Sequence, residues 1–362
     1  MNISVTLTPE IRMRKALKQE GVKDTDQVTR LTIAGTITDN DFKYIRENMA
    51  KKLQILDMSG ASLNNNRIAL YECTGLASVT IPKSVTTIEE RAFYYCTVLT
   101  DIIVHPDNPA YTSENGVLFN KDKTELIVYP AGRNEVHYDI PNSVTKIRGG
   151  AFQCAGLTLV FISDSVKTIE YNAFSCTGLQ SVTIPDWVTE IEGYTFFECN
   201  SLTSVFMPDT ITKIGTHAFD TNGFSSISIL ASVTEIEVGA FYHCHHLSSI
   251  ILPASVTKIS AWAFSYCGLT PILLSGSIWD AKIDEPPEYI TVNPDNPVYE
   301  SINGKLRRKQ KTEKELFEII APAKNVDEKH ISAKGFKKTK KIISIVEETK
   351  KFVSLRSRKK RK

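Results

Sequence analysis

The sequence contains no run of about 18 consecutive apolar residues, which is the length needed to span a bilayer. Residues 1–10 also lack the basic stretch followed by an apolar stretch that marks a secretory signal. As written, the chain is therefore predicted to be neither a membrane-spanning protein nor an intact secretory precursor. With 362 residues, 42% of them hydrophobic and 23% charged, it is long and apolar enough to bury a large core, which excludes disorder throughout.

The sequence also lacks the short motifs that usually accompany catalysis or cofactor binding. It has no nucleophile elbow, P-loop, GxGxxG or HExxH motif. Its seven cysteines are an odd number, which excludes a complete intramolecular disulfide framework. None of them forms the CxxC pair that is typical of a zinc site. The sequence therefore predicts a protein that is not an enzyme and that needs no cofactor.

What the sequence does contain is an internal repeat. Residues 76–96, 179–199 and 247–267 are the clearest copies, and each copy has an Ile followed five residues later by a Phe. The seven copies are Ile88/Phe93, Ile147/Phe152, Ile169/Phe174, Ile191/Phe196, Ile214/Phe219, Ile236/Phe241 and Ile259/Phe264. Because the period from Phe152 onward is 22 or 23 residues, the repeat predicts one solenoid coil per copy, and stacking is what buries each coil's apolar side.

Within one copy, the strand SVTIP alternates apolar and polar residues. Alternation places Val79 and Ile81 inward and Ser78 and Thr80 outward, and a proline then ends the strand. A second extended stretch and a tight helical turn around an Ala-Phe pair complete the coil. Stacked coils should therefore hold Phe152, Phe174 and Phe196 in a row with a spacing of about 5 Å.

All seven cysteines follow the Ala-Phe turn, and the copy that lacks one has Asn222 instead. A small polar side chain there can satisfy backbone groups of a repeated turn while it remains buried. These residues are predicted to form a structural ladder: Cys73, Cys96, Cys154, Cys176, Cys199, Asn222, Cys244 and Cys267. Oxidation between adjacent rungs is sterically conceivable, but nothing in the sequence requires it.

Two groups of residues suggest metal sites that have simpler explanations. His243, His245 and His246 surround Cys244, but adjacent residues on a turn point in different directions. Residues 107–109 and 295–297 both read Asp-Asn-Pro, which could ligate Ca²⁺ but more simply forms a turn. We therefore predict no metal site.

The recurring string SVTxIxxxAFxxC over residues 73–270 resembles the BspA-type leucine-rich repeats of bacterial surface proteins. The resemblance implies a leucine-rich-repeat solenoid, β-rich within the α/β class, with a parallel sheet face. Members of that family are typically exported adhesins or host-interaction proteins, so it also implies an extracellular or cell-surface location. A true start at Met1 would instead favour the cytoplasm.

The repeat is interrupted and bounded by other segments. Residues 105–130 are predicted to form a β-hairpin that projects from the solenoid, within an insert of about 105–140, because two apolar runs flank a polar stretch. A second version begins at Asn293, followed by a strand at Leu316 to Pro322 and an eroded coil at Ile331/Phe336. The predicted regions are a cap (1–72), the solenoid (73–270), a degenerate insert and last coil (271–336) and a basic tail (337–362).

The cap is predicted to contain a strand-helix-strand unit that shields the first coil. Thr8 would cap a helix over residues 11–20, with Pro9 at its first position. A strand at residues 28–33, a helix at 39–49 and a strand at 53–58 would follow.

The outward row of the strands carries the candidate partner-binding residues. Large apolar side chains interrupt a row of small ones. A soluble protein does not need such apolar residues on its surface unless they bind a partner. Strand propensity and lateral packing of the side chains are the alternative explanation. The contact residues predicted there, for a protein or glycoprotein on a host or neighbouring cell, are Ile103, Leu159, Phe161, Phe206 and Ile251.

The alternative is an intracellular scaffold or polyanion-associated protein that uses the basic tail. Residues 305–362 hold 21 of the 43 Lys and Arg residues but only 7 of the 41 Asp and Glu residues. Such a segment would attract anionic partners, although a solvated lysine-rich end is the simpler interpretation.

Overall fold

The computed structural model describes residues 1–268, 290–302 and 305–309. Within this described part, no helix is long and apolar enough to cross a membrane. The predicted strand at Leu316 to Pro322, the coil at Ile331/Phe336 and the basic tail lie outside the described residues.

The N-terminal region alternates strands and helices. Its elements are β1 (Asn2–Leu7), α1 (Met13–Gln19), a 3-10 turn (Thr25–Gln27), β2 (Arg30–Ile37), α2 (Asp39–Asn48), β3 (Ile55–Asp57) and β4 (Ala61–Leu63). Strands β1, β2 and β3 pair in parallel in that order. The predicted strand-helix-strand unit is confirmed as β2-α2-β3, whereas β1 was not predicted although its sequence ISVTL alternates as a strand does.

The predicted start of the first helix is wrong. The Thr8 hydroxyl accepts the N–H groups of Glu10 and Ile11 at 3.3 and 3.2 Å, which closes a separate turn. The helix begins only at Met13, whose N–H donates to the Asp41 carboxylate at 3.0 Å. Asp41 is buried in the first turn of α2 and also pairs with Arg12. A residue of the second helix therefore accepts the free N–H at the start of the first helix, and a local capping pattern cannot reveal such a distant partner.

The remaining strands belong to the coils, to one insert and to a C-terminal pair. They are β5 (Ser78–Ile81), β6 (Asp101–Val104), β7 (Tyr111–Glu114), β8 (Val117–Asn120), β9 (Glu125–Val128), β10 (His137–Asp139), β11 (Lys146–Ile147), β12 (Leu159–Phe161), β13 (Thr168–Ile169), β14 (Ser181–Thr183), β15 (Glu190–Ile191), β16 (Ser204–Phe206), β17 (Lys213–Ile214), β18 (Ser226–Ser228), β19 (Glu235–Ile236), β20 (Ser249–Leu252), β21 (Lys258–Ile259), β22 (Ile290–Val292), β23 (Tyr299–Ile302) and β24 (Lys305–Arg308).

Each complete coil has three sides. On the first side the longer strands form three parallel runs, which are β1-β2-β3-β5-β6, β10-β12-β14-β16 and β18-β20-β22. On the second side the two-residue strands pair in parallel, as β11-β13 and β15-β17-β19-β21, and the four-residue β9 pairs in parallel with β11. The alternation predicted for the first side is confirmed, because Val79 and Ile81 are fully buried. The molecule is thus a solenoid of stacked coils.

The third side consists of the Ala-Phe turns, which also bond from coil to coil. From Phe152 to Phe241 the N–H of each repeat Phe donates to the next coil, for example Phe174 to the carbonyl of Thr195 and Phe196 to that of Ala218, both at 2.9 Å. Residues two before and two after the Phe adopt left-handed backbone, as at Tyr194 (φ 58°) and Glu198 (φ 56°). This conformation aims the N–H groups of both flanking residues at the next coil as well.

The predicted row of phenylalanines is confirmed. The Phe152 and Phe174 ring centroids are 4.8 Å apart, and those of Phe174 and Phe196 are 5.5 Å apart, with interplanar angles of 13° and 6°. Further stacked pairs extend this phenylalanine stack through Phe219, Phe241 and Phe264. Offset stacked rings gain energy beyond the area that they bury, so the stack joins consecutive coils through one apolar interior.

Truncating the stack should destabilise the whole solenoid. We expect Phe196→Ala to lower the free energy of unfolding by about 3–5 kcal/mol, because a fully buried ring would leave a cavity between two coils. Phe206→Ala, at an exposed ring, should change it by less than about 1 kcal/mol. Urea denaturation measures both, and equal losses would show that the stack does not carry the stability.

The prediction of a projecting hairpin is wrong. Strands β8 and β9 do pair antiparallel, but β8 lies between two cores: Leu118 enters the N-terminal core, and Phe119 enters the core of the later coils. Strand β9 pairs with β11, and the ring of Tyr129 stacks on Phe152 at 5.3 Å. The insert therefore replaces a coil instead of leaving the solenoid. The strands VLF and LIV have apolar residues on both faces, a pattern typical of strands that are buried on both sides.

The second version of the insert uses the same attachment as the first. The buried Asn108 amide donates to the carbonyls of Pro82 and Val85, both at 2.9 Å, and Asn296 donates to those of Pro253 and Val256, both at 2.9 Å. In each copy the asparagine oxygen also accepts two backbone N–H groups. Strands β23 and β24 then pair antiparallel, as β7 and β8 do.

Removing this attachment should loosen the insert. We expect Asn108→Ala to lower the free energy of unfolding by about 2 kcal/mol or more, because two buried carbonyls and two N–H groups lose their partner. Asp107→Ala, at the exposed neighbouring residue, is the matched control and should have little effect. A loss no larger than that of the control would contradict the assigned role.

The cysteines occupy two positions, not one. Thiols three residues after the Phe point inward and donate to a carbonyl of the preceding coil, as Cys199 does to Phe174 (3.1 Å) and Cys244 to Phe219 (3.0 Å). Cys96, Asn222 and Cys267 do the same at 3.1, 2.8 and 2.9 Å, and Cys73 is buried one coil before Cys96. These six residues form the polar ladder.

Cys154 and Cys176 do not belong to the ladder, which corrects the prediction. They lie two residues after the Phe, in left-handed backbone with φ of 59° and 57°, and are only partly buried. Ala155 and Thr177 take the ladder position in their coils. The Thr177 hydroxyl donates to the Phe174 carbonyl at 2.9 Å and contacts the Cys199 sulfur at 3.2 Å. In the sequence these two cysteines lie one residue closer to the Phe than the ladder residues do. The prediction grouped the two positions because both follow the same turn.

The ladder position should favour a thiol over an amide. The Asn222 Oδ1 atom is buried without a hydrogen-bond partner among the described residues. Asn222→Cys keeps a donor for the Phe196 carbonyl and removes that oxygen, so we expect it to stabilise the fold by about 1 kcal/mol. The reciprocal Cys244→Asn should destabilise it by about 1–3 kcal/mol. Chemical denaturation of both variants measures the difference, and the opposite signs would refute the interpretation.

Candidate functional site

The five candidate contact residues all point outward from the first side of the coils. The exposed fractions of their side chains are 49% for Ile103, 46% for Leu159, 61% for Phe161, 63% for Phe206 and 63% for Ile251. Their strands alternate, so that the intervening Ile102, Val160 and Ile250 are buried. The strands are held by pairing in the sheet, which fixes the direction of each side chain without any further contact.

Three of these residues lie within one sheet. Leu159 and Phe161 are on β12, and Phe206 is on β16, with β14 between them. Because adjacent strands are about 4.8 Å apart, the backbones of Phe161 and Phe206 are separated by roughly 10 Å. Thr183 is directly opposite Phe206, and Ser181 is directly opposite both Leu159 and Ser204. The result is an apolar patch with small polar residues between its members, which we call the central patch (Leu159, Phe161 and Phe206).

Ile103 and Ile251 do not join the central patch. Ile103 is on β6, the last strand of the first sheet, and the insert separates β6 from β10. Ile251 is on β20 in the third sheet, where it lies opposite Ser228. The row of predicted contact residues thus lies on three separately hydrogen-bonded sheets.

Comparison with known families identifies the repeat. The profile described as the BspA type leucine-rich repeat region matches in 6 copies, over residues 35–136, 66–194, 132–225 and 217–282, which together cover more than half of the chain. The chain belongs to the BspA-type leucine-rich repeat family. The resemblance seen in the sequence is thereby confirmed, together with the solenoid architecture. No match to a curated protein was found.

A solved structure of a leucine-rich repeat protein has the same fold. A leucine-rich repeat protein from Eubacterium ventriosum superposes with a TM-score of 0.50 at 23% identity, over 70% of this chain and 87% of that one. A leucine rich cell surface protein from Faecalibacterium prausnitzii superposes with a TM-score of 0.43 at 24% identity, over 66% of this chain and 62% of that one. The match therefore spans less than two thirds of the Faecalibacterium protein.

One exposed aromatic residue of the BspA-type coils was missed. Trp187 follows β14 at the proline turn, is 65% exposed and lies below the Lys167 ammonium, which is 5.7 Å from the ring centroid. Other copies have Ser or Thr at this position, for example Ser165 and Thr210. Comparing the copies position by position would have found it, since a tryptophan in a slot that otherwise holds a small polar residue is not required by the repeat.

The structure gives the candidate metal residues other roles. Cys244 is buried and donates to a carbonyl, while the neighbouring His243 ring packs against Tyr242 and Tyr266 at 4.0 and 4.8 Å. Asn108 and Asn296 use their side-chain oxygens to accept backbone N–H groups. Across the part of the chain that the structure describes, no three His, Cys, Asp or Glu residues are placed to hold a metal ion.

Proposed function

We propose that this chain is a non-catalytic recognition or adhesion protein that acts at a cell surface or outside the cell. Its partner is a protein or glycoprotein on a host or neighbouring cell, and it binds at the central patch, with Ile103 and Ile251 as outer contacts. The observation that carries the proposal is the exposure of five large apolar side chains on a sheet surface where small polar residues such as Thr183 and Ser228 lie between or opposite them.

The energetics favour a partner at this patch. Burying a Phe or Leu side chain is worth about 1.5–3 kcal/mol, and the central patch leaves three such side chains largely in water. Aromatic side chains held by a rigid scaffold lose little conformational entropy on binding, and they often dominate interface energetics. Small residues between them, such as Thr183 and Ser204, allow a partner backbone or glycan to approach the sheet closely.

Family membership supports the proposed location. The chain has BspA-type repeats, whose resemblance to those of bacterial surface proteins implies export. A repetitive sheet surface is the part of a solenoid best suited to contact an extended partner.

A binding experiment with a matched control tests the surface. Beads coated with the chain are applied to cultured epithelial cells, with and without protease treatment of the cells. We expect protease-sensitive adhesion that Phe161→Ser combined with Phe206→Ser lowers at least tenfold, because the partner loses both aromatic contacts. The control combines Tyr171→Ser and Trp262→Ser, which remove exposed rings from the turn side and should leave adhesion unchanged.

Thermal unfolding must be nearly the same for both double variants, so that misfolding does not explain a loss. Deleting residues 337–362 should leave adhesion intact. Undiminished adhesion of the Phe161/Phe206 variant would refute the role of the central patch. Loss of adhesion on deleting the tail would favour the polyanion alternative.

A further inference from the structure

A column of left-handed residues runs along the turn side of the solenoid, away from the central patch. Each member lies two residues after the Phe of its coil, with φ between 55° and 59°, and none is buried. The column is Tyr95, Cys154, Cys176, Glu198, Thr221, His243 and Tyr266. Left-handed backbone is costly for residues other than glycine, but from Cys154 to His243 each member of the column uses it to aim its N–H at the next coil. The backbone therefore fixes these side chains at equivalent places on successive coils.

Cys154 and Cys176 are adjacent members of this column. The Cys154 N–H donates to the Ser175 carbonyl at 3.0 Å, and the Cys176 N–H donates to the Phe197 carbonyl at 2.7 Å, so three coils are in register around the pair. Adjacent coils with this register are about 4.8 Å apart, within the 4.4–6.8 Å Cα separation that a disulfide spans. The two side chains occupy equivalent places on these adjacent coils, and the Cys176 thiol donates to the Glu198 carboxylate of the following coil.

The environment makes the two thiols unequal. The neighbouring Cys176 thiol lowers the pKa of Cys154 below its usual value, against the opposing effect of burial. The neighbouring Cys154 sulfur, followed by burial, raises the pKa of Cys176. The Glu198 carboxylate, 3.6 Å from the Cys176 sulfur, adds a negative charge that acts in the same direction on Cys176. Cys154 is thus the thiol that ionises first and attacks as a thiolate.

The other cysteines are chemically different. Cys96, Cys199, Cys244 and Cys267 donate their thiol protons to backbone carbonyls inside the coils. Burial raises the pKa of both Cys73 and Cys96 to about 12. A thiol with such a pKa stays protonated at neutral pH and does not attack a disulfide. Cys154, Cys176 and Cys267 are the partly exposed cysteines, and Cys267 donates to a carbonyl of the preceding coil, so we expect an oxidant in solution to react at the Cys154/Cys176 pair.

We propose that Cys154 and Cys176 form a dithiol site that low-molecular-weight or protein disulfides oxidise to a disulfide between two adjacent coils. The Cys154 thiolate attacks one sulfur of the oxidant, which breaks its S–S bond, forms a mixed disulfide and releases one thiol. Cys176 then gives up its proton and attacks the Cys154 sulfur, which releases the second thiol. The pair loses two electrons and two protons, and the oxidant is reduced to two thiols.

The new bond would clamp one coil to the next on the turn side. A cross-link between residues 154 and 176 closes a loop of one repeat and restricts the unfolded chain, so the oxidised protein should unfold at a higher temperature. This site does not depend on the proposed adhesive function, because it lies on a different side of the coil.

The test counts thiols in the full chain. Of the seven cysteines, all free in the reduced protein, two should react rapidly with a thiol reagent in the folded state, and all seven should react after unfolding. After incubation with oxidised glutathione, only five should remain, and the mass should fall by that of two hydrogens. The thermal unfolding temperature should rise, and dithiothreitol should reverse all three changes.

Single variants locate the bond and set the order of attack. Cys154→Ser and Cys176→Ser should abolish the loss of two hydrogens, whereas Cys267→Ser, which alters the neighbouring ladder pair Cys244/Cys267, should retain it. Cys176→Ser should instead gain one glutathione at Cys154. Seven titratable thiols after oxidation of the wild type would overturn the proposal. So would a disulfide that persists in Cys154→Ser and disappears in Cys267→Ser.

Discussion

The structure depends on the contact between one coil and the next. A single coil of 22 or 23 residues has an apolar interior that it cannot cover itself, and the neighbouring coil supplies the missing surface. The phenylalanine stack is the most direct form of this contact, with rings 4.8–5.5 Å apart from Phe152 to Phe264. Backbone hydrogen bonds on all three sides set the same spacing, so apolar packing and hydrogen bonding support one arrangement.

The same constraint explains what happens where the repeat is interrupted. An insert that projected into solvent would leave the apolar ends of two coils uncovered. Instead, β8 inserts between two cores, and Tyr129 occupies the place of a phenylalanine in the stack. At the other end, Asn296 repeats the attachment made by Asn108. Both attachments use a buried amide that bonds to four backbone groups, which is possible because the two coils concerned have the same turn after Pro82 and Pro253.

Once the coils are stacked, a one-residue difference in position decides the chemistry of a side chain. Three residues after the Phe, Cys199 is buried and bonded to a carbonyl, while two residues after it, Cys176 lies in the exposed left-handed column. The strands show the same principle, since Val160 faces the core and Phe161 faces solvent. Side chains that the packing does not require are free to differ from coil to coil, and the central patch, Trp187 and the cysteine pair are all of this kind.

The sequence by itself determined the repeat period, the inward and outward faces of the strands, the phenylalanine stack and the exposure of the candidate contact residues. These features follow from local periodicity, which a regular backbone converts directly into position. Only the tertiary structure decided the start of the first helix, where Asp41 of the second helix supplies the cap, and the place of the insert between two cores. It also placed the predicted contact residues on three separately hydrogen-bonded sheets and separated Cys154 and Cys176 from the ladder. These outcomes depend on which distant residues meet, and a periodic pattern carries little information about that.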